Sequence, residues 1–354
     1  MKVVIRADGS DLMGMGHISR CLTLAGEIKR RGGDCLFVTR SMDGRVPAMI
    51  KKAGFPAREI TAGDTASGDL DVTIKAAKRA GVIITDGYQF KEDYLASLKA
   101  SGKLLVCIDD IAHTRFPCDI LLNQNLGAAK KMYTGLVDSS ARLLLGTGYA
   151  LVREEFVDSR RKKPRTRRRI RNVLVSLGGG DSAMLTLKVL RALDSLDGDF
   201  ALTAVFGSRS KGAVEAAETF LSDCSKNTEV IFYATDMPGL MHNADMAITG
   251  GGTTCWEAAC VGLPNLLMVL AENQNIVARG LSKAGASVNL GWHEGITEAR
   301  IAREARRLAE DAGKRDEMRK NGRTLVDGKG AARVAIAMEE LFNERVLGEP
   351  GFKI

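Results

Sequence analysis

The chain of 354 residues has no apolar run near the roughly 18 residues of a membrane span, which excludes a spanning helix. It opens directly on a strand-like segment, without the basic, apolar and small-residue regions of a secretory leader, so a cytoplasmic protein is expected. Cysteine pairs at metal spacing are missing too. The seven cysteines, at 21, 35, 107, 118, 224, 255 and 260, are scattered and form no Cys-x-x-Cys. They fit small buried hydrophobes in a reducing compartment, and neither disulfides nor structural zinc. Asp109, Asp110 and His113 lack a third carboxylate at ligand spacing, and neighbours in an extended chain face opposite ways, so no metal is expected. One of the two aspartates is expected to cap the next turn or to orient the opening loop.

What is present is the composition of a soluble globular protein, 45% hydrophobic and 27% charged, long enough for two domains. Nine basic residues behind the net charge of +8 crowd into positions 160–171 around Pro164. No aromatic residue is interleaved for base stacking, so no nucleic-acid partner is expected. The run fits a solvated interdomain linker that adds positive potential near a phosphate-binding cleft.

Apolar strand-like runs alternate with helical ones through the first half, as in an open parallel sheet covered on both faces. A strand over 2–7 is followed by Gly14, Met15, Gly16 and His17, then a helix over 18–31. Glycines let backbone amides turn outward, and a helix N-terminus receives anions. His17 is either a general base there or a capping and packing residue. Strands are expected at 34–39, 81–86, 103–108, 120–122 and 143–145, with a first domain over 1–156 and the linker at 157–171. Tyr88 follows the strand ending at Asp86 and is either a substrate contact or an aromatic packed under the turn.

The second domain, expected over 172–354, repeats the grammar. A strand from Asn172 enters the glycines 178–180, and Asp181 or Ser182 can cap the helix that follows. A strand at 246–249 then runs into Gly250, Gly251, Gly252, Thr253 and Thr254. Three glycines at a helix N-terminus with two hydroxyls beside them form a phosphate cradle. Glu257, one turn on, suits a ribose, whose hydroxyls a carboxylate accepts; it also suits the helix dipole alone. Asn273 and Gln274 follow the strand 265–270 and face the same edge, whereas the helical 296–342 shows no chemistry. The fold class is therefore α/β: two Rossmann-like doubly wound domains facing each other across a cleft.

The segments Asp8 with Gly14, Gly16, His17 and Arg20, then Asp109 with Asp110, Tyr149 to Phe156, and Gly250 to Glu257 with Gly262 and Pro264 carry a resemblance in chain order. The chain resembles the UDP-2,4-diacetamido-2,4,6-trideoxy-β-L-altropyranose hydrolases of pseudaminic acid biosynthesis and their spore-coat-type relatives. Its third glycine segment is similar to the UDP-sugar site of the peptidoglycan N-acetylglucosaminyltransferases. The resemblance implies the glycosyltransferase B fold, a UDP-sugar substrate, and hydrolysis without cofactor or metal; a monomer or weak homo-oligomer is expected. It implies His17 as the base that activates water for inverting attack at the anomeric carbon. Gly251, Gly252 and Thr253 would hold the diphosphate, Glu257 the ribose, and Tyr88 and Asn273 the sugar or its phosphates. Asp8, Gly14, Gly16, Arg20, Gly179, Gly180 and Gln274 complete the implied substrate-binding set. A glycosyltransferase with an acceptor hydroxyl in place of water is the alternative.

Overall fold

The computed structural model describes residues 1–10, 14–40, 44–61, 65–162, 167–178 and 182–348. They form two compact units. The first unit takes Met1–Ser10, Met15–Leu151 and the segment from Lys329 onward, and Val152–Gly328 lies in the second.

In the first unit the order is β1 (Lys2–Ala7), α1 (Gly16–Arg30), β2 (Asp34–Arg40), α2 (Arg45–Lys52), β3 (Ala57–Ile60) and α3 (Ala66–Ala76). Then come β4 (Val82–Asp86), α4 (Glu92–Ala100), β5 (Leu104–Ile108), β6 (Ile120–Asn123) and β7 (Arg142–Leu145). All strands pair in parallel, in the spatial order β3-β2-β1-β4-β5-β6-β7. The central strands are covered on both faces, which is why they read as unbroken apolar runs: every residue of β4 and β5 is buried. Cys21, Leu24, Ala25 and Ile28 of α1 pack onto one face with Ile5, Ile84 and Val106.

The second unit begins with α5 (Glu154–Arg161), β8 (Asn172–Ser176), α6 (Ala183–Asp194), β9 (Ala201–Phe206), α7 (Lys211–Asp223) and β10 (Thr228–Phe232). It continues through α8 (Met237–Asn243), β11 (Met246–Gly250), α9 (Thr253–Val261), β12 (Asn265–Val269), α10 (Gln274–Lys283), β13 (Ser287–Trp292), α11 (Glu298–Glu310) and α12 (Ala312–Leu325). Its parallel sheet runs β10-β9-β8-β11-β12-β13. The edge strand β13 carries Gly291 in the left-handed region and a register shift against β12. Those irregularities hide its periodicity.

Two expectations about organisation are corrected. The last helix, α13 (Gly330–Gly348), belongs to the first unit and not to the second. Its Val334, Ala335 and Met338 are fully buried in the same cluster as Ile5 and Leu24, and Arg31 donates to both carboxylate oxygens of Glu339. The unit boundary falls at Leu151, before the basic run, so that run is no interdomain linker. Arg160 and Arg161 close α5, and Ile170 joins the second core. Arg160 donates to the carbonyls of Cys260, Arg323 and Val326, at the carboxyl ends of α9 and α12. Arg167 pairs with Asp245 at 2.9 Å. These cations complement helix C-termini and a buried carboxylate inside one unit.

Candidate active site

Each sheet reverses its strand order once, between β1 and β4 in the first unit and between β8 and β11 in the second. Ligands of open α/β sheets bind beyond the carboxyl ends of the strands at such a point. His17 lies in the first turn of α1, just after β1, and Asp86 is the last residue of β4. Ala7 and Asp86 are partners in register, so the two strand ends are adjacent.

His17 Nδ1 stands 2.6 Å from Asp86 Oδ1. Arg20, one turn further along α1, grips the same carboxylate bidentately, with Nε to Oδ2 and Nη2 to Oδ1 both at 2.6 Å. Its Nη1 donates to Asp110 Oδ1 at 2.9 Å, and Asn125 and Tyr88 donate to Asp110 as well. Asp86 is completely buried. Burial alone would push its carboxyl up, but Arg20 and then His17 outweigh that and hold it well below the usual carboxylate range. An ionised carboxylate can only accept, so the proton of the neutral imidazole sits on Nδ1 and Nε2 presents a lone pair. Two carboxylates and one guanidinium leave a net negative charge that an imidazolium formed during proton transfer would balance.

The ring of Tyr88 meets His17 edge-on at 5.1 Å and His113 at 5.8 Å, so it both packs and bonds at this edge. Asp109 closes the following turn by accepting from the Ala112 amide at 2.7 Å, and Asp110 holds Arg20 of the opening helix. Each of the expected roles for that pair is therefore filled, by different residues. Asp8 accepts from Arg6 Nη1 and Nη2, the Arg40 amide and Gln89 Nε2, all between 2.5 and 2.8 Å. Asp8 and Arg20, both expected at the substrate site, also bond to protein groups: Asp8 to Arg6, Arg40 and Gln89, and Arg20 to Asp86 and Asp110. Gly14 takes φ +81°, a conformation that favours glycine, and Gly16 starts α1.

In the second unit, Gly178 follows β8 with φ +104°, while Gly179, Gly180 and Asp181 lie outside the described residues. Of the two expected caps of α6, Ser182 stands at the N-cap without a side-chain cap bond, and Asp181 lies outside the described residues. After β11 the loop is tight. A Cβ on Gly250 would lie 2.9 Å from the Leu177 carbonyl, and one on Gly251 would lie 2.9 Å from Gln274 Cβ. Gln274 Oε1 accepts from the amides of Gly251 and Leu270, at 3.1 and 2.9 Å. Gln274 thus stitches this loop to the next, and the Gly251 amide, expected at a diphosphate, is already bonded. The amides of Gly252, Thr253 and Thr254 have no acceptor among the described residues, and a Cβ on Gly252 would meet open space. These are three of the unbonded N-terminal donors of α9, a helix end whose dipole favours negative charge.

Residues 173–334 match the glycosyltransferase family 28 C-terminal domain. The spore coat polysaccharide biosynthesis protein SpsG of Bacillus subtilis is 26% identical over 98% of this chain and 100% of its own length. The UDP-2,4-diacetamido-2,4,6-trideoxy-beta-L-altropyranose hydrolase of Campylobacter jejuni is 26% identical over 81% of this chain and 98% of its own. The chain is a homologue of these two proteins. Among solved structures, Acinetobacter baumannii MurG matches with a TM-score of 0.70 at 15% identity, covering 96% of this chain and 100% of that one. The homologue accordingly has two parallel-sheet domains of the glycosyltransferase B kind.

Two site residues escaped the sequence reading. Asp86 was visible only as a strand end, because its partner His17 lies 69 positions away in sequence. Arg153 Nε donates to Glu257 Oε1 at 2.7 Å, across 104 positions. Tyr233, at the carboxyl end of β10, is a non-glycine residue with φ +56°, a strain that no sequence pattern marks. Asn273 stands at the N-cap of α10. No group of three or more His, Cys, Asp or Glu among the described residues could hold a metal ion, and no helix there is long and apolar enough to cross a membrane.

Proposed function

We propose that this protein hydrolyses a UDP-activated 2,4-diacetamido-2,4,6-trideoxy sugar, releasing UDP and the free sugar in nonulosonic acid biosynthesis. The observation that carries the reading is the 2.6 Å contact between His17 Nδ1 and Asp86, which leaves the Nε2 lone pair to serve as the base. In the reaction, Nε2 takes a proton from water as the water oxygen bonds to the anomeric carbon. The bond from that carbon to the diphosphate oxygen breaks, and its electron pair leaves with UDP. Water enters opposite the leaving group, so configuration inverts.

UDP is a good leaving group and needs little acid assistance, so one base and an anion cradle suffice. The amides of Gly252 and Thr253 stabilise the departing diphosphate, Glu257 takes the ribose hydroxyls, and Tyr88 and Asn273 contact the sugar or its phosphates. The match of residues 173–334 to the glycosyltransferase family 28 C-terminal domain keeps a second reading in view, in which an acceptor hydroxyl replaces water at the same base. UDP release from a panel of UDP-sugars, with EDTA and no acceptor, separates the two. Release from the altro-configured diacetamido sugar supports hydrolysis; release that begins only when an acceptor is added overturns it in favour of transfer.

A further inference from the structure

Glu257 is a buried carboxylate, 4% exposed, on an otherwise apolar stretch of α9 between Cys255, Trp256, Ala258 and Ala259. Such a group must be paired or lose its charge. Its one ionic partner among the described residues is Arg153, whose Nε reaches Oε1 at 2.7 Å, and Oε2 makes no hydrogen bond there. Arg153 is itself held: its guanidinium lies 4.7 Å from the Phe156 ring centroid, and its Nη1 pairs with Glu155 at 2.7 Å. A stacked, doubly paired arginine is a rigid fork, which a lysine is not.

We propose that Arg153 is a positioning residue for nucleotide recognition: it fixes Glu257 through Oε1 and leaves Oε2 as the acceptor for a ribose hydroxyl. This rests on the UDP reading above. Burial pushes the Glu257 carboxyl up, and Arg153 opposes that shift. Of the elements packed on α9, only the segment entering α5 sets charges against Glu257, namely Arg153 and the like-charged Glu155; α8, α12, β11 and β12 contribute none. Without Arg153, the carboxylate would be held in its protonated form over a wider pH range and could rotate.

The test is a double-mutant cycle on UDP affinity, measured by titration calorimetry with the full chain, using Arg153→Gln, Arg153→Lys, Glu257→Gln and the paired variants. Arg153→Gln is expected to weaken UDP binding about tenfold, the worth of one charge-assisted hydrogen bond. The same change in the Glu257→Gln background should have little effect, because the amide nitrogen that replaces Oε2 cannot accept from a ribose hydroxyl whether or not Arg153 holds the side chain. Arg153→Lys should recover part of the loss. In Arg153→Gln the affinity should rise with pH as Glu257 ionises, over a higher pH range than in the parent, where Arg153 partly offsets the effect of burial. Equal losses in both backgrounds, or no loss in either, would overturn the inference. Circular dichroism checks folding, and Arg153→Lys carries the cycle where Arg153→Gln does not fold. A parent chain that fails to bind UDP at all would overturn the underlying reading instead, a result that no variant is needed to recognise.

Discussion

Asp86 Oδ1 accepts from His17 Nδ1 at 2.6 Å while Arg20 holds both oxygens of the same carboxylate. The imidazole is thereby fixed in tautomer and orientation by a group that cannot itself move. Asp86→Asn keeps the shape but offers an amide hydrogen where the carboxylate accepted, which favours the tautomer whose Nε2 carries the proton. A loss in kcat of roughly a hundredfold to ten-thousandfold is expected, with a smaller change in KM. His17→Ala and His17→Asn should lose at least as much while remaining folded; steady-state UDP release measures both.

Arg20 neutralises two buried carboxylates, so its removal leaves Asp86 and Asp110 without their main counter-charge. Arg20→Gln is expected to destabilise the protein by about 3–5 kcal/mol, as for other broken buried pairs. Urea unfolding followed by circular dichroism reads this directly. A change below about 1 kcal/mol, the size of an exposed pair, would contradict the assignment.

Asp69, Asp86 and Asp110 all have carboxyls held below the ordinary range, each lifted by burial and then lowered further by Arg6 or Arg20. A depressed native pKa contributes stability that is fully present above the unfolded value, about 3.9, and is lost as pH falls through the native one. The urea midpoint should therefore decline progressively below about pH 4. Asp86→Asn should make that decline shallower.

Gly251 and Gly252 are adjacent but face different surroundings. A methyl on Gly251 would collide with Gln274 and Leu267, so Gly251→Ala should cost about 1–3 kcal/mol in stability. A methyl on Gly252 meets nothing within 4 Å. Gly252→Ala should leave the melting temperature nearly unchanged and weaken UDP binding. Paired thermal melts and UDP titrations distinguish the two.

Met338 of α13 is fully buried against the first sheet's core. Met338→Ala should cost about 2–5 kcal/mol. Deleting α13 should expose that apolar face and give an insoluble or dye-binding product. A soluble, cooperative truncation would return the helix to the second unit.

Strand positions and glycine loops were legible in the sequence because their causes are local. An apolar run such as 82–86 can be recognised wherever it pairs, and Gly250 to Thr254 marks a helix N-terminus by composition alone. The loops after β1, β8 and β11 lie at the switch points of the two sheets. Which atoms are engaged was decided by tertiary structure. Asp86 meets His17, Arg153 meets Glu257, Gln274 takes the Gly251 amide, and α13 returns to the first sheet. Each joins positions that only strand order and helix packing bring together, and no local propensity encodes such a pairing. The basic run shows the same division: its charge is plain in the sequence, but its role depends on the helix ends that folding places beside Arg160.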